Sequence, residues 1–113
     1  MRILIIIALF ISPILSSAQN LFPIQENNKW GYINDKGEIK IPIQFYSVNL
    51  FVNGIAPVCF ELGRCMFIHH NLDMAIKEVY SDCYSFSEGL AAIKEKSGKW
   101  GFIDSTGNLV IPA

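Results

Sequence analysis

The sequence repeats itself with a period of 35 residues, and this limits the folds that are open to the chain. When the chain is shifted by 35 residues, Trp30 falls on Cys65 and Cys65 on Trp100, and no gap is needed. Repeats of about 20 to 50 residues are supersecondary units that bury their apolar faces only by stacking on neighbours. The 113-residue chain therefore contains two full units, residues 30–64 and 65–99, and the first part of a third, residues 100–113.

Each unit has the residue pattern of short β-strands joined by turns. In the first unit, residues 30–34 are aromatic and β-branched, and residues 38–41 alternate between polar and apolar. The turn between them, residues 34–37, ends in a glycine that accepts a positive φ. Residues 54–60 form the third predicted strand, and Pro42 either ends the second strand or places it at a sheet edge. We therefore predict an all-β fold of tandem, three-stranded antiparallel meanders that stack or curl.

Two stretches, residues 45–52 and 80–87, contain aromatic residues but show little alternation. A helix is not expected there, because residues 82–87 are poor helix formers. We predict that both stretches are irregular connections between the second and third strands of their units.

The residues that recur at this period resemble the WG-repeat family, which is also called the KWG-repeat family. The matching stretches are Trp30-Gly31-Tyr32-Ile33, Ile41-Pro42, Phe86-Ser87-Glu88-Gly89-Leu90-Ala91, Trp100-Gly101-Phe102-Ile103-Asp104 and Ile111-Pro112. The full set of repeat-signature residues is Trp30, Gly31, Gly37, Pro42, Phe51, Gly54, Phe86, Gly89, Trp100, Gly101, Gly107 and Pro112. The resemblance implies an all-β repeat module that is common in bacteria and often exported, and it implies no general activity.

The N-terminal residues have the pattern of a secretory signal peptide. Arg2 is a short basic region, residues 3–11 are an apolar run, and Pro13 precedes small residues that end at Ala18. We predict cleavage between Ala18 and Gln19. The apolar run is much shorter than the roughly 20 residues that span a bilayer, so no stable membrane anchor is expected. The protein is predicted to be exported to the periplasm or secreted.

Removal of the predicted signal, residues 1–18, leaves a lead-in at residues 19–28 and a repeat domain at residues 29–113. The chain has nine Lys and Arg residues against ten Asp and Glu residues, a net charge of −1. So balanced a chain has no strongly basic surface, and nucleic acid is therefore not an expected partner.

The three cysteines lie in the first two units. An exported chain meets an oxidising compartment, so Cys59 and Cys65, which flank the turn at residues 61–64, are a candidate disulfide. The bridge would replace the tryptophan that the second unit lacks, and it requires that the two cysteines face each other across the hairpin. Two buried thiols are the alternative, and the sequence leaves the choice open. Cys83 is expected in the core, with intermolecular pairing as its alternative.

A metal site is a weaker interpretation of the same region. Cys59, Cys65, His69, His70 and Asp73 are residue types that bind zinc, but their spacing is not that of a known zinc module. The histidines fall where the other units have a solvated turn, so turn residues are expected instead. No nucleophile–base pair, nucleophile elbow or glycine-rich phosphate loop occurs, and neither a catalytic site nor a cofactor is predicted.

Aromatic residues recur in register with the repeat, so we expect most of them in the core. Tyr46 and Tyr84 are candidates for a binding face, although they do not share a repeat position. The predicted function is an exported, non-enzymatic module that binds a protein or a glycan, or that pairs through an open edge strand with itself or another chain. The first alternative is a structural fragment of a longer WG-repeat protein without independent function, and the second is a hydrolase-like enzyme.

Overall fold

The computed structural model describes residues 20–112, and within that range its regular elements are all β-strands. These are β1 (Phe22–Glu26), β2 (Lys29–Ile33), β3 (Ile39–Phe45), β4 (Ser47–Val48), β5 (Ala56–Glu61), β6 (Arg64–Ile68), β7 (Asp82–Cys83), β8 (Ala91–Lys94), β9 (Trp100–Ile103) and β10 (Leu109–Ile111). The all-β prediction is confirmed. The predicted signal peptide, residues 1–18, lies outside the described residues. Residues 20–112 include no helix with the length and apolarity that a membrane crossing requires.

The strands pair antiparallel in three small sheets, with the orders β1-β2-β3, β4-β5-β6 and β10-β9-β8-β7. The predicted antiparallel meanders are confirmed. The second and third of these sheets, however, each combine strands from two neighbouring repeat units, because the units begin at residues 30, 65 and 100. The third strand of the first unit, β5, pairs with β6 of the second unit, and β8 pairs with β9 of the third. A hairpin turn of a few residues joins β5 to β6, whereas a longer connection separates β3 from β5, so the pairing follows the shorter link.

The lead-in residues form a strand that the sequence analysis missed. β1 pairs with β2, and Phe22 lies opposite Ile33. This pairing resembles that of β5 with β6 and of β8 with β9. The turn between β1 and β2 is the pair Asn27 and Asn28, with φ values of 53° and 65°. Asparagine tolerates these left-handed values, which a two-residue hairpin turn requires. The hairpin from Phe22 to Ile33 is one residue shorter than the hairpin from Ala56 to Ile68, in which a bulge between Cys59 and Glu61 adds a residue. β1 therefore matches β5 at a shift of 34 residues and β8 at a shift of 69 residues.

The described residues bury two apolar cores, and each lies between successive sheets. Core 1 includes Tyr32, Ile41, Phe45, Ala56, Val58 and Ile68, and core 2 includes Phe67, Ile76, Tyr80, Ala91, Ile93 and Ile103. Every member of the second list stands 35 residues after the matching member of the first. Because neighbouring residues of a strand point to opposite faces, the middle sheet contributes Val58 to core 1 and Cys59 to core 2.

The second unit has no counterpart of β3 as a continuous strand. Two isolated bridges remain, Ile68 with Met74 and Cys65 with Tyr80, at the positions where β2 pairs with the two ends of β3. Gly31 explains the difference in part, since a Cβ there would lie 2.6 Å from the carbonyl oxygen of β3 residue 41. The second unit has Met66 at this position, so a strand as close as β3 cannot lie over it.

Two details of the predicted connections are wrong. The stretches 45–52 and 80–87 are not wholly irregular, because they contain β4 and β7, which pair with β5 and β8. Gly54 does not begin a strand; it completes a tight turn with Asn53, and Val52 and Ile55 exchange backbone hydrogen bonds across it. Pro42 does not end its strand, but β3 is a sheet edge, as the proline allows.

The turns that follow β2, β6 and β9 share one backbone geometry. In the first, the Asn34 side chain accepts hydrogen bonds from the backbone N–H groups of Lys36 and Glu38, both at 2.9 Å. Asp104 does the same in the third turn for residues 106 and 108. These short polar side chains hold the turn closed, and a residue with positive φ completes it: Gly37 at 83°, Leu72 at 75° and Gly107 at 92°.

Candidate functional site

The side of the third sheet that faces away from core 2 presents large apolar side chains to solvent. Trp100 and Phe102 lie two residues apart on β9 and point to this side, whereas Ile103 points into core 2. Ile111 on β10 lies opposite Phe102, and Lys94 on β8 lies opposite Trp100, so both share the side. We name Lys94, Trp100, Phe102 and Ile111 the C-terminal face.

The exposure of the C-terminal face departs from the pattern of the two cores. Phe102 is 38% exposed, whereas its counterparts at 35-residue spacing, Phe67 and Tyr32, are both 0% exposed. Ile111 is 47% exposed, and its core 2 counterpart Ile76 is 4% exposed. Within residues 20–112, the face therefore consists of core positions that no further sheet covers. Sequence reasoning missed it, although the repeat register itself assigns positions 102 and 111 to a core.

An aromatic pair extends this face. Tyr84, just after β7, stacks on Trp100 with ring planes 6° apart and centroids 5.6 Å apart. Both rings are close to half exposed. The Lys94 ammonium lies 6.0 Å from the Trp100 ring centroid, a distance at which a cation is attracted to the ring face. The pair thus presents a broad aromatic surface beside one positive charge. Of the two predicted binding-face residues, Tyr84 belongs to this surface and Tyr46 does not.

Cys59 and Cys65 are joined by a disulfide in the structure. They lie directly opposite each other on β5 and β6, with Cα atoms 3.9 Å apart, and both side chains are buried in core 2. Their counterparts in the third unit are Lys94 and Trp100, which are opposite each other in the same register. The disulfide therefore occupies the place that the exposed tryptophan takes in the third unit.

Cys83 is a buried free thiol in the described chain. Burial raises the pKa of this thiol to about 12, and the neighbouring Asp82 carboxylate adds to the effect. A thiol in this state is protonated at neutral pH and is a poor nucleophile. It behaves as a small apolar side chain of core 2, as the sequence analysis expected.

The structure does not bring the two histidines and Asp73 together with the two cysteines as a metal site would require. Among residues 20–112, the ligand atoms that come within 4.8 Å of one another belong to Cys59, Cys65 and Asp82. The two sulfurs are bonded to each other, so they do not offer thiolates to a metal. His69 lies in the turn after β6, where its backbone N–H donates a hydrogen bond to the backbone carbonyl of Asp73. This contact agrees with a role in the turn. His70 packs edge-on against an aromatic ring, 4.5 Å between centroids.

Among the hollows that flank the sheets of residues 20–112 are two of different size. The larger, about 370 Å³, is lined by Glu78, Val79, Tyr80, Ile93, Glu95, Lys96, Ile103, Gly107 and Leu109. It opens beside core 2 where the second unit lacks a continuous second strand. The smaller, about 130 Å³, lies beside the disulfide, and Tyr46 and Leu62 line it.

The repeat-signature residues serve mainly the fold. The signature glycines of the turns have positive φ and are Gly37, Gly54, Gly89 and Gly107. Phe51 and Phe86 pack on cores 1 and 2, and Trp30 packs against core 1. Gly31 and Gly101 are buried in β2 and β9, whereas Pro42 and Pro112 are exposed. Trp100 differs from Trp30 because it lies on the uncovered C-terminal face.

Comparison with known proteins agrees with this architecture. A family model for the WG containing repeat matches residues 30–61, 66–100 and 100–113, which is more than half of the chain. No curated protein and no solved structure gives a match. The second match spans the unit in which Trp-Gly is replaced by Cys65-Met66, so the repeat persists where its signature is lost. The chain belongs to the family of the WG containing repeat.

Proposed function

We propose that this protein is an exported, non-enzymatic WG-repeat module that binds a partner protein through its C-terminal face. The observation that carries the proposal is the exposure of Phe102 and Ile111 at positions whose counterparts are buried in cores 1 and 2, with Trp100 exposed beside them. Contiguous exposed apolar surface of this kind marks interaction sites in soluble proteins. Tryptophan and tyrosine are also the residues that most often dominate binding energy at protein interfaces.

The chemistry of the face favours binding over catalysis. Rings and aliphatic side chains bind a partner by removing apolar surface from water. They do not supply the convergent acid, base and nucleophile that a catalytic site needs. The Lys94 ammonium beside the aromatic pair provides one charge at the edge of the surface, where it adds selectivity for an acidic partner.

Export is part of the proposal and rests on residues 1–18, together with a disulfide that persists in oxidising compartments. The test is to express the chain in a bacterial host, fractionate the cells and sequence the N-terminus of the product. A product that begins at Gln19 in the periplasm or medium supports export. An uncleaved chain in the cytoplasm refutes it.

Binding is tested by immobilising the purified chain and measuring retention of exported proteins from the source cells, and separately of their envelope glycans. Trp100→Ala should weaken protein retention about 30-fold, as expected for a central residue worth about 2 kcal/mol. The matched control is Leu62→Ala, because Leu62 is 80% exposed but lies on the β5–β6 turn, outside the face. Equal retention by both variants refutes the proposed site, and Trp100-dependent retention of glycans alone refutes the protein partner.

A further inference from the structure

The two ends of the sheet stack expose complementary halves of one core. Each complete core has a leading half, from the second strand of one sheet and the segment after it, and a trailing half, from the next sheet. In core 1 the leading half includes Tyr32 and Ile41, and the trailing half is Ala56, Val58 and Ile68. The C-terminal face repeats the leading half, because Phe102 and Ile111 pair with each other as Tyr32 and Ile41 do.

The trailing half is found at the other end of the described chain. Phe22 pairs with Ile33 in β1 and β2 as Ala56 pairs with Ile68 in β5 and β6. Ile24 lies two residues beyond Phe22, so it points to the same side. We name Phe22, Ile24 and Ile33 the N-terminal face.

The N-terminal face is not buried as its counterparts are. Phe22 is 45% exposed, whereas its counterparts Ala56 and Ala91 are 0% and 1% exposed. Ile24 and Ile33 are half-buried. In the described residues, the N-terminal face is therefore a trailing half that no leading half covers. The C-terminal face is a leading half that no trailing half covers.

We propose that the C-terminal face binds the N-terminal face of a second copy of this chain, so that copies stack head to tail. This rests on the function proposed above and names the partner of that site. The contact would form a further core of the same kind as cores 1 and 2. In it, Phe102 and Ile111 of one copy would pack against Phe22, Ile24 and Ile33 of the next. The repeat geometry already holds two such contacts inside the chain, so each copy presents both surfaces in a preformed shape.

The residue that departs from the pattern fits this contact. The leading halves of cores 1 and 2 each hold a further aromatic residue, Phe45 and Tyr80, for which the described C-terminal face has no counterpart. Phe22 stands where the complete cores have alanine. Its larger side chain supplies apolar volume that the missing ring would otherwise leave empty, as close packing of a core requires.

Such a contact joins two different surfaces, so it does not close on itself in a pair and copies add at both ends. Association should therefore depend steeply on concentration and give a ladder of sizes. The experiment is sedimentation velocity on the purified chain, as processed by the host, over a hundredfold range of concentration. Phe22→Lys and Ile111→Lys each place a charge in one face, and both positions are exposed enough for the monomer to tolerate lysine. Leu62→Lys is the matched control, and far-UV circular dichroism verifies the fold of each.

The decisive step is a mixture. Each face variant alone should remain a monomer at concentrations at least tenfold above those that assemble the wild type and Leu62→Lys. Phe22→Lys keeps an intact C-terminal face and Ile111→Lys keeps an intact N-terminal face. Mixed in equal amounts, they should form a one-to-one dimer and nothing larger.

Other outcomes overturn the inference. A wild type that is monomeric throughout, a face variant that assembles with itself, or a mixture that stays monomeric would each contradict head-to-tail stacking. If the wild type is monomeric while Trp100-dependent retention of another protein persists, this inference fails and the proposed binding function stands. If Ile111→Lys changes neither self-association nor retention, both fail.

Discussion

Leu72 occupies a backbone conformation that its neighbours in the repeat assign to glycine. Its φ is 75°, and the corresponding residues in the first and third units are Gly37 at 83° and Gly107 at 92°. The left-handed conformation costs a residue with a Cβ roughly 1–2 kcal/mol, and glycine avoids this cost. Glycine also makes the unfolded chain more flexible, which offsets about 0.4–1 kcal/mol of that gain. Leu72 is 41% exposed, so its side chain also contributes apolar burial, and Leu72→Ala is the reference that removes this contribution.

Relative to Leu72→Ala, the change Leu72→Gly should therefore raise the free energy of unfolding by about 1 kcal/mol. Urea unfolding followed by tryptophan fluorescence measures this, with the dependence on urea expected to stay unchanged because the buried surface stays unchanged. The midpoint of thermal unfolding should rise by roughly 4–8 °C, the shift that 1 kcal/mol gives in a domain of this size.

Two variants separate the effect of the backbone conformation on the free energy of unfolding from the effect of the side chain. Leu72→Ala removes most of the side chain but keeps the Cβ, so it should not gain the stability that glycine gains. Gly37→Leu should lose about 1 kcal/mol for backbone reasons, since a Cβ at Gly37 meets no atom within 4 Å. The reasoning is refuted if Leu72→Gly is no more stable than Leu72→Ala.

Three further predictions follow from the other repeat positions. Replacing Cys59 and Cys65 with serine should lower the free energy of unfolding by about 2 kcal/mol, as expected for a bridge with a sequence separation of 6, and urea unfolding measures it. Hydrogen bonds from Thr106 and then Asn108 hold the pKa of Asp104 below its usual range, so stability from this group is present above about pH 4 and is lost as the pH falls through the lowered pKa. Unfolding curves at several pH values should show a smaller acid loss for D104N, which keeps the acceptor oxygen that Asn34 provides in the first unit. G31A should cost roughly 1–3 kcal/mol, because its Cβ would lie 2.6 Å from a β3 carbonyl oxygen, and a G31A protein as stable as wild type in thermal unfolding would contradict this.

The strands were predictable where local pattern and repeat register agree. Residues 30–34 and 100–103 have the composition of strands and form β2 and β9. β1 was not predicted, because its hairpin with β2 is one residue shorter than the later hairpins, which hides the match at the 35-residue shift. β4 was missed as well, since a strand of two residues carries no alternation to detect.

The candidate site was less predictable than the fold. The sequence identified Cys59 and Cys65 as a candidate pair, but their register across the hairpin depends on the turn geometry, which the structure supplies. It assigned most aromatic residues to the core, which holds for Tyr32 and Phe45 and fails for Trp100 and Phe102. The failure has a physical cause, because burial of a ring at a core position also needs a second sheet that packs over it. The residues of a ring's own segment do not indicate whether such a sheet is present.

The sequence alone determined the class of fold, the period of the repeat and the family. Each follows from local chemistry, because strand composition, turn residues and their spacing act over a few neighbours. The tertiary structure alone decided which strands pair, that core 2 repeats core 1 and also holds a disulfide, and which side of each end sheet is exposed. Those outcomes depend on contacts between residues far apart in the chain, so the same Trp-Gly pair packs against a core at Trp30 and presents a surface at Trp100.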